Sequence, residues 1–118
     1  MILRLVFISF FIFSCTNGVP RIEEPDNLVP REEMVDVLTE LMKLESAIQI
    51  KYVTIDKYHN AIKVSGDSLL NVKGISYDQF EKSMEYYASR QDEMIGIYSE
   101  VLDVLNKELG DIEASKAD

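Results

Sequence analysis

Gly74-Ile75-Ser76-Tyr77-Asp78-Gln79-Phe80 is the stretch that decides the fold. Ser76 stands where a helix N-cap accepts from a free amide, Gln79 completes a capping box, and Ile75 is placed to staple onto Phe80. Gly74 suits the left-handed position that closes a preceding helix. One helix therefore ends and another begins inside a single short segment, and the chain on both sides is expected to be helical.

Downstream, Phe80, Met84, Tyr87 and Ala88 share one face of the new helix, while Asp78, Glu81, Lys82 and Glu85 share the other. Ser89-Arg90-Gln91-Asp92 reads as a second capping sequence. Behind it, Met94, Ile95, Tyr98, Val101, Leu102, Leu105 and Leu109 recur at helical spacing up to Gly110, and residues 111–118 are expected to be a disordered polar tail. Upstream, Ser68 to Lys73 allow two helical turns before Gly74, and Ser65-Gly66-Asp67-Ser68 reads as a breaker. Further back, Met34, Leu38, Leu41, Glu45, Ile48 and Tyr52 repeat at three-four spacing, flanked by Val37 and Leu44. Pro30 suits the first turn of that helix, and Glu32, Glu33 and Asp36 complement the positive end of its dipole. The stripe continues through Ile55, Tyr58 and Ile62, so either one long helix spans about residues 31–64 or it breaks near Tyr52, where Val53-Thr54-Ile55 is β-branched. The expected fold is all-α: a small bundle of three to four helices over residues 30–110 with a long N-terminal helix.

The N-terminus reads differently. Arg4 precedes the apolar run Leu5-Val6-Phe7-Ile8-Ser9-Phe10-Phe11-Ile12-Phe13. That run is shorter than the roughly 20 residues a membrane-spanning helix needs, and it has the form of a secretory signal peptide. Ser14 immediately before Cys15 resembles a bacterial lipobox, although Phe13 is bulkier than the usual occupant of its place. On this reading residues 1–14 are cleaved and Cys15 carries diacylglycerol and palmitate-type chains. The alternatives are an ordinary signal peptide with an incidental Cys, or an uncleaved anchor. Residues 15–29, with Gly18, Pro20, Pro25 and scattered charges, read as a flexible tether. No acidic run abuts Cys15, and Thr16 is not the Asp that retains lipoproteins at an inner membrane. The expected location is the bacterial cell envelope, at the outer membrane and facing the periplasm.

Loss of Arg4 with the leader takes the net charge from −9 to −10. Residues 30–110 hold nine Lys or Arg against fifteen Asp or Glu, a net charge of −6. Such a surface repels phosphate backbones and anionic headgroups, so nucleic acid is not an expected partner and attachment must come from acyl chains. Acylation would consume the single Cys, leaving no disulfide.

Residue types that carry chemistry are isolated. His59 has only Asp56 at i−3 as a helical neighbour able to ligate, too few for a zinc site. Glu32/Asp36, Asp36/Glu40 and Glu81/Glu85 are i,i+4 carboxylate pairs that read as solvated helix faces. No Ser has a base in prospect beyond His59, and no Gly-rich phosphate loop occurs. No cofactor, metal or enzymatic activity is expected. Aromatic residues cluster in the C-terminal half, where Tyr86, Tyr98 and Tyr77 form the candidate interaction surface and Ser83 lies one turn ahead of Tyr87. Met34, Met42, Met84 and Met94 offer an adaptable lining for an apolar ligand or an unfolded outer-membrane client, the alternative to a protein-interaction module.

Several phrases resemble a family of small Bacteroidota lipoproteins that share the domain of unknown function DUF4296. They are Cys15, Pro30 followed by Met34-Val35-Asp36-Val37-Leu38-Thr39-Glu40-Leu41, Gly74 through Ser83 with Tyr86-Tyr87, and Ile97-Tyr98 followed by Val101. Where relatives often carry His after Glu-Leu, this chain has Met42. The resemblance implies a helical fold and a lipoprotein, and brings no activity with it. A non-catalytic accessory lipoprotein docking onto another envelope protein is the expected function.

Overall fold

The computed structural model describes residues 18–52 and 54–117. The expected signal peptide and the candidate lipidation site, Cys15, lie outside the described residues. Four helices follow one another: α1 Arg31–Lys51, α2 Ile55–Val72, α3 Tyr77–Ala88 and α4 Gln91–Lys116. α1 packs on both α2 and α4, and α3 packs on α4. The ion pairs Arg31–Glu100 (2.6 Å) and Lys43–Glu108 (2.9 Å) show α1 and α4 running in the same direction. Lys73–Asp36 and the Tyr58 hydroxyl donating to Glu45 (3.1 Å) set α2 antiparallel to α1. The all-α bundle is as expected, with four helices.

The joint between α2 and α3 forms as its sequence dictates. Gly74 has φ 71°, the Ile75 amide donates to the Leu70 carbonyl (2.9 Å) and the Gly74 amide to Asn71 (3.1 Å). These are the two bonds of a Schellman motif, closed by the buried Ile75. Ser76 then caps α3 by accepting from the Gln79 amide (3.1 Å).

One open alternative is decided and two expectations are corrected. The first helix breaks near Tyr52: α1 ends at Lys51, with Tyr52 extended at φ −115° and ψ 113°. Burial also changes there, for Ile48 is 6% exposed whereas Ile50 and Ile55 are 85% and 74% exposed, so nothing holds a continuous stripe through a β-branched segment. The Ser65 to Ser68 breaker does not break, and α2 runs through it. Gly66 costs about 1 kcal/mol in a helix interior. Burying Leu70 and half-burying Leu69 directly beyond it outweighs that. Nor does Gly110 end the last helix or free a disordered tail. α4 continues to Lys116, because Gly110 keeps an ordinary helical φ and residues 113–116 are mostly strong helix formers with no Pro.

The core gathers Val29, Met34, Val35, Val37, Leu38, Leu70, Ile75, Tyr87, Ile97 and Val101. On α4 the buried face is Ile97 and Val101 with Met94 and Leu105 packed beside them, one position away from much of the stripe read from spacing. Ile95, Leu102 and Leu109 are exposed instead, and on α3 Ser83 is buried while Ala88 faces water. Among the described residues no helix is long and apolar enough to cross a membrane.

Candidate interaction surface

The segment expected to be a loose tether is, from Ile22 onward, bound along α3. Its polar backbone has no strand or helix to satisfy it, so α3 supplies side chains. The Val29 amide donates to Ser83 Oγ (3.0 Å), and the Val29 carbonyl accepts from the Tyr87 hydroxyl (2.7 Å). Ser83 passes its own proton to the Gln79 carbonyl (2.7 Å), so every polar atom in this buried group is partnered. Val29 is 1% exposed, Ser83 0% and Tyr87 3%. Ser83 and Tyr87 are one turn apart, which is why two side chains reach the two backbone groups of one residue.

Either side of that contact, Gln79 Nε2 donates to the Asn27 carbonyl (2.8 Å). A capping box would turn this amide back onto Ser76, so the box is half formed and its second arm holds the strap. At the far end the Ile22 amide donates to Ser89 Oγ (3.1 Å), and Arg90 Nη1 donates to the Ile22 carbonyl (2.9 Å). The expected cap at Ser89 is likewise spent on the strap: α4 begins after Arg90 with no side-chain cap. Sequence reading placed Ser83 next to Tyr87 but not against residue 29, and it missed Gln79, Ser89 and Arg90 as strap ligands.

The three candidate tyrosines occupy three different settings. Tyr86 is half-buried, with the Arg90 guanidinium 3.8 Å from its ring centroid and the Tyr87 ring edge-on at 5.3 Å. Its hydroxyl donates to Glu24 at 3.4 Å, so the face offered to an outside partner is already covered by the chain's own strap and arginine. Tyr98 is half-buried on α4. Tyr77 opens α3, is 62% exposed, and borders an open hollow of about 570 Å³ with Lys63, Asp67, Leu70, Asn71 and Ile75. A second hollow of about 390 Å³ lies where residues 18–21 meet Ser89, Arg90 and Gln91. An apolar trough of about 660 Å³ runs between α1 and α2 past Lys43, Leu44, Val64, Leu69 and Val72.

No methionine lines any of these hollows. Met34 is wholly buried, and Met42, Met84 and Met94 pack against the core. His59 is exposed and meets the Tyr58 ring edge-on at 5.9 Å. No three His, Cys, Asp or Glu side chains converge as a metal site requires among the described residues. Asp36 and Glu40, members of the carboxylate pairs, are occupied by Lys73 and Lys43.

Burial raises the Tyr87 pKa above the ordinary 10.0, with the charges of Glu93 and Glu24 adding to it and Arg31 opposing. Lys43 is held above 10.5 by its hydrogen bonds to Glu108 and then Glu40. Neither shift gives a group poised near neutral pH, the usual mark of acid-base chemistry. The arrangement positions the strap against α3.

No curated protein and no solved structure matches the chain. The family model for the domain of unknown function DUF4296 matches residues 25–110, from the middle of the strap to Gly110 in α4. The chain therefore belongs to the DUF4296 family.

Proposed function

We propose that the protein is a non-catalytic lipoprotein of the cell envelope, held in the membrane by acyl chains on Cys15, whose helical domain acts as a protein-interaction module facing the periplasm. The observation that carries the proposal is the sequence from Arg4 to Cys15: a short apolar run behind a positive charge, ending in Ser14-Cys15. Two chains on one Cys suffice for stable anchoring without a basic patch, which suits a body of net charge −10.

The strap favours a close-held module over one on a long leash. Only residues 16–21 separate Cys15 from the pinned Ile22, a reach of about 25 Å at full extension. The trough past Leu44, Val64, Leu69 and Val72 and the exposed Ile95, Leu102 and Leu109 offer apolar surface to a partner, which is the chemistry of docking. Growth with a labelled palmitate analogue, followed by membrane fractionation, tests the proposal. The wild-type chain is expected to be labelled and membrane-bound, and Cys15→Ser unlabelled and soluble or unprocessed. A Cys15→Ser chain that stays in the membrane at normal mature size would overturn the anchor.

A further inference from the structure

α4 carries an apolar stripe that runs on from the one it buries, sharing the core-packed Leu105 and the half-buried Tyr98 with it. Ile95, Tyr98, Leu102, Leu105, Leu109 and Ile112 follow at gaps of three, four, three, four and three, the a/d spacing of a coiled-coil seam. The seam runs about 26 Å along the helix. Ile95 is 68% exposed, Leu102 and Leu109 54%, and Ile112 51%. These four side chains leave on the order of 400 Å² of apolar surface in water on one element, as much as the largest patch of a typical monomer, which is often functional. Doubled across two copies and bordered by a polar rim, it approaches the roughly 1,200 Å² at which specific interfaces begin.

Charge decides whether a second copy of an acidic protein can come so close. Glu100 and Glu108 point to Arg31 and Lys43 of α1 and are paired there. By the helical period, Glu93 and Asp111 fall on that same side, away from the seam. The flank of the seam that faces water carries the uncharged Ser99, Asn106 and Gly110 along its length, with the exposed Asp92 at its start. Asp103 and Glu113 near it are exposed and screened by salt, and Lys116 follows Ile112 on the seam face.

We propose that this seam pairs with the same seam of a second copy, as two parallel α4 helices in register. The direction rests on the lipid anchor proposed above: Ser89 and Arg90 pin Ile22 at the start of α4, so two copies anchored in one membrane both begin α4 at that membrane. A two-fold axis along the pair sets Leu102 against Leu102 and Leu109 against Leu109.

Full-length Leu102→Cys and Leu109→Cys, expressed in the native envelope and mildly oxidised, test this on non-reducing gels of membrane and soluble fractions. Lys107→Cys, about 140° round the helix from Leu102, is the comparison. Both seam variants are expected to run mostly as covalent dimers, against a trace for Lys107→Cys. The unsubstituted chain in detergent is expected to sediment at twice the mass of the double variant Leu102→Glu/Leu109→Glu. Monomers throughout, linkage equal to that of Lys107→Cys, or adducts to a different protein would overturn the pairing. A chain found only in the soluble fraction would overturn the anchor instead; the sedimentation comparison, run with reductant so that a free Cys15 forms no link, would still report the pairing.

Discussion

The two polar groups of the Val29 backbone are buried, and each depends on a single atom of α3. Ser83→Ala removes the acceptor of the buried Val29 amide and Tyr87→Phe removes the donor to its carbonyl. Each substitution is expected to cost about 1–3 kcal/mol in chemical denaturation, because a buried backbone group is left unpaired. Hydrogen exchange at the Val29 amide should accelerate in Ser83→Ala. An unchanged stability and unchanged protection would mean that the strap is not held there. The same contact predicts a pH dependence. The Tyr87 pKa is raised above its unfolded value near 10.0, so its contribution is fully present below pH 10 and is lost as pH rises through the folded value. Lys43, raised above 10.5 by Glu108 and Glu40, loses its contribution in the same direction. An alkaline titration of stability should therefore fall above pH 10, and Tyr87→Phe should flatten part of that fall. These residues were only half legible in the sequence. Ser83 and Tyr87 stood out by their one-turn spacing, but their ligand lies 54 and 58 residues away in a segment with no periodicity.

Helix identity was the most legible feature, and helix boundaries the least. The capping signal at Ser76 and the left-handed Gly74 were readable because both act within a few residues. Gly66 and Gly110 misled because a glycine breaks a helix only where packing beyond it is absent or where its φ must be positive, and neither condition is written locally. Both positions keep ordinary helical backbone with no heavy atom within 4 Å of an added Cβ. Gly66→Ala and Gly110→Ala are accordingly expected to stabilise the fold, each by up to about 1 kcal/mol, raising the thermal midpoint by a few degrees. A fall in either midpoint would contradict continuous helices at these places. Gly74→Ala is the contrasting case, expected to destabilise by about 1 kcal/mol because its φ of 71° strains any side chain. The strap was illegible for a related reason. Its stability comes from side chains of α3 meeting its backbone, and Gly, Pro and charges read locally as a tether.

At the scale of the whole molecule, the strap changes what the anchor can do. Residues 22–29 belong to the folded body, so under the proposed anchor the domain would hang from Cys15 by six residues and not by fourteen or so. α1 and α4 both run away from the end at which the strap begins, and they carry the apolar trough and the seam with them. The docking role proposed for this acidic body rests on those apolar surfaces. The surface ion pairs, exposed to water and screened by salt, contribute little to that design. The most direct test of the lipid-anchored account is the intact mass of the protein purified from its own membranes. The account predicts a chain that begins at Cys15 and carries the added mass of at least two fatty acyl chains. A mass equal to the unmodified 118-residue chain, or to a trimmed chain bearing no acyl group, would contradict it.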